Sequence, residues 1–160
     1  MTKVRGLKSW NAKLGAISRK TRAEVHRALQ RGAQSIADVA AAKIVDPPKT
    51  GKIYGRGTRG RKRKDGTWGT GSKTLIHQAS SPGQPPAADT GRLDQSMTTV
   101  DASTGETIRF ETGANAPYAT PLELGSSKMK PRPFLAPSYE EVLPKVKEQV
   151  RLAVKRGAKG

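Results

Sequence analysis

LKSWNAKLGAISRKTRAEVHRALQRGAQSIADVAAAKIV, residues 7–45, decides the architecture. Leu7, Trp10, Leu14, Ile17 and Thr21 recur at intervals of three and four residues. Val25, Ala28, Leu29, Ile36, Val39, Ala40 and Ile44 carry the same stripe onward with slight drift. That period puts the apolar side chains on one face of a single helix, with Lys8, Lys13, Arg19, Lys20, Arg22, Arg27 and Arg31 on its polar side. Gly15 and Gly32 each weaken the helix by about 1 kcal/mol relative to Ala and mark where it would break. Asp46-Pro47-Pro48 ends it, because the residue before a proline is driven out of the helical region. At roughly 1.5 Å per residue the helix is about 58 Å long. A domain built from the other residues would be only about 35 Å across. One end is therefore expected to overhang, with Leu7, Trp10, Leu14 and Ile17 as a candidate interface with a neighbouring subunit.

Outward from this helix, residues 49–88 read as a basic hairpin and a proline-rich connector. Ile53-Tyr54 and Thr74-Leu75-Ile76-His77 are expected strands. The glycine-rich run between them carries Arg56, Arg59, Arg61, Lys62, Arg63 and Lys64, a candidate contact for DNA or an acidic partner. Ser80-Ser81-Pro82-Gly83-Gln84-Pro85-Pro86 follows as an irregular, extended connector. Residues 89–135 read as sheet and short helix. Gln95–Asp101 and Glu106–Thr112 pair through a turn at Ser103-Thr104-Gly105, with Ile108 and Phe110 alternating against polar neighbours. Pro117–Leu124 is an expected short helix closed by Gly125. Residues 137–156 form a last helix with Val142, Val146, Val150 and Ala153 on one face. Pro137 suits its first turn, while Pro144 is expected to kink it or delay its start. The expectation is one α+β domain over 1–160, with both long helices packed on a small antiparallel sheet and a long basic hairpin loop.

Charge and composition narrow the function. The chain of 160 residues has a formal net charge of +17, 34% hydrophobic and only 4% aromatic residues, so its core must be small. Residues 1–46 hold ten basic and three acidic side chains and residues 47–88 nine and one, whereas residues 89–134 are close to neutral, with five and six. There is no cysteine, which excludes disulfide and thiol chemistry. No apolar run approaches the roughly 18 residues of a membrane span, and Met1–Ser9 is basic without an apolar segment behind it, so a soluble, cytosolic chain without a secretory leader is expected.

The motifs that suggest catalysis are weak. Gly55-Arg56-Gly57-Thr58-Arg59-Gly60 matches the dinucleotide fingerprint in letters, but a run of cations and more glycines follows where a helix is required. Gly71-Ser72-Lys73 reverses the order a P-loop needs. His26 and His77 lie far apart, with no second His or Cys at ligand spacing, so no metal site is expected. Glu140-Glu141 falls near a helix start, where carboxylates favour the dipole. No nucleophile–base–orienter set is visible, and neither a catalytic residue nor a cofactor is expected.

Several segments do resemble one family when taken in order. They are Thr50-Gly51-Lys52-Ile53-Tyr54, His77–Pro86, Asp89-Thr90-Gly91-Arg92-Leu93 with Ser96, Pro117-Tyr118-Ala119, Glu123-Leu124-Gly125 and Arg132-Pro133-Phe134-Leu135. Together they resemble the minor tail-component family of tailed bacteriophages and prophages, the head–tail joining or tail-completion proteins of the neck. The resemblance spans nearly the whole chain. It implies a non-enzymatic virion subunit forming a ring, commonly sixfold, made in the host cytoplasm. Its partners would be other copies of itself, the connector or head-closure protein, the tail-terminator or tail-tube protein, and the packaged DNA, with no membrane. The matching residues are Thr90, Gly91, Leu93, Tyr118, Ala119, Glu123, Gly125, Pro133 and Phe134, with structural roles. Gly91 would allow a tight turn, Tyr118 and Phe134 would anchor, Pro133 would set the entry to the last helix, and Glu123 would pair with a basic residue of the same or a neighbouring chain. Ser126 stands where the family usually has threonine, and the basic run Arg56–Lys73 is longer than the pattern requires. A sequence-independent nucleic-acid-binding protein is the alternative that the charge supports.

Overall fold

The structure is a computed structural model that describes residues 7–56, 64, 66, 75–105 and 107–159. The side chains of residues 7–12, 56, 75 and 76 lie outside that description. The fold is α+β. Helix α1 runs over Leu7–Val45, strands β1 and β2 over Ile53–Arg56 and Leu75–Gln78, and strands β3 and β4 over Met97–Asp101 and Phe110–Ala114. Helix α2 covers Ala119–Leu124, and helix α3 covers Leu135–Ala158. The four strands make two separate two-stranded ladders, β1–β2 and β3–β4. The β1–β2 ladder is antiparallel, with Ile53 opposite Gln78 and Tyr54 opposite His77.

The chain divides into two compact units. One comprises Met1–Val39, Thr98–Gly113 and Pro137–Gly160, and the other Ala40–Met97 and Ala114–Ala136. In the first unit α1 and α3 lie antiparallel. Gly32 faces Val146, where an added Cβ would lie 2.7 Å from Val146 Cγ2, and Gly157 faces the backbone of Thr21. The eleven residues from Thr21 to Gly32 thus match the eleven from Val146 to Gly157, and two helices stay in step that way only when they run in opposite directions. The contact is close because the facing side chains are small: Ala28, Gly32, Ala33, Ala37, Ala153 and Gly157 are all buried. Gly32, expected as a weak point, is therefore a contact point, and α1 passes through it without a break. The β3–β4 ladder joins this unit through Thr112, whose hydroxyl donates to Ala33 O at 3.2 Å.

The second unit has its own core of Ala40, Ile44, Leu93, Ala119 and Phe134. Asp46 closes the end of α1 with an N–H to Ala42 O of 3.0 Å, and Pro47 follows directly. Helix α3 begins at Leu135, two residues ahead of its expected start, and continues through Pro144. Proline lacks the N–H that would bond four residues back, yet its ring is tolerated within the run. The early start has a physical cause in the site described next.

Candidate functional site

The family-like stretch lies within the second unit, where most of its residues build structure. Gly91 turns the chain at φ +70°, a conformation that side-chain-bearing residues rarely adopt. Leu93 then enters the core, and Ser96 donates to Leu93 O at 2.7 Å. Helix α2 buries Ala119 and ends at Gly125, φ +82°. There Arg132 N donates to Leu122 O at 2.7 Å, returning the chain towards Phe134, which is completely buried. Glu123 organises the junction. Its carboxylate accepts from the backbone N–H groups of Phe134 at 2.7 Å, Leu135 at 3.0 Å and Ala136 at 2.8 Å. These donors have no partner inside a helix that starts here, so a carboxylate eleven residues upstream caps α3 and fixes its first residue. Within the chain Glu123 thus has three backbone donors as partners.

The same unit holds a cleft of about 540 Å³ lined by Ile44, Leu93, Tyr118 and Leu122 on the apolar side and by Asp89, Thr90, Arg92 and Arg132 on the polar side. Asp89 stands 3.8 Å from His77 Nδ1. Of the family-like residues, Thr90, Gly91, Leu93 and Tyr118 line this cleft, Ala119 and Phe134 fill the core, and Pro133 is half-buried. Arg132 Nε is buried and meets no acceptor among the described residues.

The first unit carries a polar latch between α1 and the β3–β4 ladder. His26 Nε2 lies 2.7 Å from Asp101 Oδ2, and its ring meets Phe110 edge-on at 5.0 Å. Arg22 donates to Gly105 O at the turn beyond β3. Hydrogen bonds from the Ser103 hydroxyl and backbone N–H, then from His26, lower the Asp101 carboxyl from 3.8 to about 2. Such a group stays ionised through the physiological range, so it holds a position and does not exchange protons there. His26 is half-buried in this latch.

The other expected site residues are dispersed. Arg59, Arg61, Lys62 and Arg63 lie outside the described residues, as does all but Lys64 and Gly66 of the run that would join β1 to β2. Arg56 ends β1, and Lys64 is exposed. Leu14 is 47% exposed and Ile17 half-buried, while Leu7 and Trp10 are described only as part of the α1 backbone. Lys155, Arg156 and Lys159, exposed at the end of α3, were not singled out from the sequence. The available signal was Gly157 amid cations, since a glycine inside a helix marks a close approach.

Among the described residues no cluster of three or more His, Asp or Glu is placed to hold a metal ion, and no helix is long and apolar enough to cross a membrane. Comparison with protein-family profiles, curated proteins and solved structures gives no match for this chain.

Proposed function

We propose that this chain is a structural subunit of a tailed-phage virion, acting without catalysis or a cofactor. It forms a ring at the neck that completes the tail or joins it to the head. The observation that carries the reading is an imbalance in apolar burial. Among the described residues the large apolar side chains in the core are Ile44, Leu93, Phe134 and Val142, whereas ten others are exposed, including Leu14, Val45, Tyr118, Leu124, Tyr139 and Leu152. Scattered apolar exposure is ordinary, but exposing more large apolar side chains than the core contains fits a subunit completed by its neighbours. The order of the segments from Thr50 to Leu135 supports the same family reading, and so does the use of Gly91, Leu93, Ala119, Glu123, Gly125 and Phe134 for packing and capping.

The partners on this reading are further copies of the chain, a sixfold ring being the expected number, with a connector or head-closure protein on one side and a tail-terminator or tail-tube protein on the other. The chain would be made in the host cytoplasm and end in the virion neck. Localised reconstruction of intact particles tests the proposal and should find a ring of this chain at the neck. A strictly monomeric mass in solution, together with absence of the chain from purified particles, would refute it.

A further inference from the structure

The α1–α3 contact at Thr21 and Gly157 concentrates positive charge in a way neither helix shows alone. An alanine methyl at Gly157 would lie 2.8 Å from Thr21 Cβ, so the two backbones are nearly touching there. Within two residues of Thr21 stand Arg19, Lys20 and Arg22, and within two residues of Gly157 stand Lys155, Arg156 and Lys159. All six are exposed and no carboxylate lies in either window. The nearest acid along α1, Glu24, is already engaged by Arg27 at 2.6 Å and approached by Arg156 at 4.0 Å. A shallow groove of about 440 Å³ runs along α1 beside this point, lined by Arg19, Arg22, Ala23, His26 and Arg27.

Packing six cations around one backbone contact is unfavourable in isolation, because like charges at this spacing repel and only solvent and salt reduce the cost. The arrangement becomes favourable when a polyanion lies across it. We infer that this crossing is a sequence-independent binding surface for a nucleic-acid phosphodiester backbone. The groove lining selects that partner over an acidic protein. It offers three arginines, the His26 ring already held by Asp101 and one methyl group, with no large aliphatic side chain to receive protein residues and no acceptor array to read base edges. The contact therefore carries no sequence information, and its strength falls steeply with salt. This inference stands independently of the neck reading, since it concerns one face of the chain in any assembly.

Fluorescence anisotropy of the full-length chain with a labelled duplex of about 20 base pairs, over a salt series, tests it. The variant Arg19→Gln/Lys20→Gln/Lys155→Gln/Lys159→Gln avoids the residues of the His26–Asp101 latch and of the Glu24 pairs. It should reduce the slope of log affinity against log salt by about 3 and weaken binding at least about tenfold at physiological salt. Its melting temperature at low salt should hold or rise, since like charges are removed, which separates lost binding from lost folding. Serine at Arg61, Lys62, Arg63 and Lys64 should leave a larger share of the binding than the helix variant does. An unchanged slope in the helix variant overturns the inference, as does loss of all binding in the serine variant alone. Displacement of the duplex by a dodecaglutamate peptide of equal or higher affinity, sensitive to the same four substitutions, would also overturn it and identify an acidic protein as the partner.

Discussion

The two units hold themselves together by different means. In the first, two helices approach closely because buried glycines and alanines make room for Thr21 and Val146, and a few polar contacts fasten a two-stranded ladder to them. In the second, regular structure is short and the turns are many. One buried aromatic ring and one carboxylate with three backbone donors close a chain that would otherwise have too few contacts. The first unit is thus limited by volume and tolerates little added bulk. The second is limited by particular atoms, and removing one of them leaves a gap or an unpaired donor that nothing nearby replaces.

Truncating the only buried aromatic side chain among the second unit's described residues gives the largest expected effect. Phe134→Ala should destabilise by about 4 kcal/mol, measured by chemical denaturation, since a fully buried ring leaves a cavity that a core this small cannot refill. A loss below about 1 kcal/mol would mean that the site collapses freely and that the unit is less dependent on single atoms than described. The next effect tests the first unit. Gly157→Ala should cost about 3 kcal/mol, because the new methyl meets the backbone of Thr21, whereas Gly32→Ala should cost about 2, because it meets both methyls of Val146, a stiff side chain but not backbone. Equal effects at the two glycines would contradict the helix register. Glu123→Ala should follow at about 2 kcal/mol, with Glu123→Gln intermediate, since the amide keeps one acceptor oxygen for the end of α3. Rapid amide exchange confined to Phe134, Leu135 and Ala136 in the Ala variant would identify the lost cap.

The smallest effect concerns the latch and is read through pH. The folded Asp101 carboxyl titrates at about 2 against an ordinary 3.8, so its stabilisation is complete above about pH 4 and disappears as pH falls through about 2. Asp101→Asn should lower the melting temperature modestly above pH 4 and flatten its decline between pH 4 and 2. An unaltered acid limb would show that the hydrogen bonds from Ser103 and His26 do not discriminate between the protonation states.

What the sequence disclosed follows from how local each cause is. The course of α1 and its C-terminal end were legible, because a three-four period and the Asp46-Pro47-Pro48 stop act within a few residues. The β3–β4 ladder was legible as a pair but misplaced by about two residues. A 3₁₀ turn at Asp94–Ser96 occupies the expected start of the first strand, and a bridge between Thr104 and Thr107 occupies the turn, pushing the second strand on to Phe110. The start of α3 was hidden, because it is fixed by Glu123 across an intervening loop, and no local pattern at Leu135 announces it. Gly32 read as a defect for a related reason: its value lies in Val146, more than a hundred residues away. The cation cluster at Thr21 and Gly157 was equally invisible, since each helix alone shows only an ordinary charged face.

The capping of α3 by Glu123 also bears on the order of folding. A helix start that waits for a distant carboxylate cannot be completed while the chain between them is open, so the turns beyond Pro144 are free to form before the first turn does. Folding and unfolding rates of Glu123→Ala locate the cap on that order, and we expect it to form after the folding barrier. Loss of Glu123 would act mainly by speeding unfolding and would leave the refolding rate nearly unchanged. The junction around Glu123 would then govern how long a folded subunit persists.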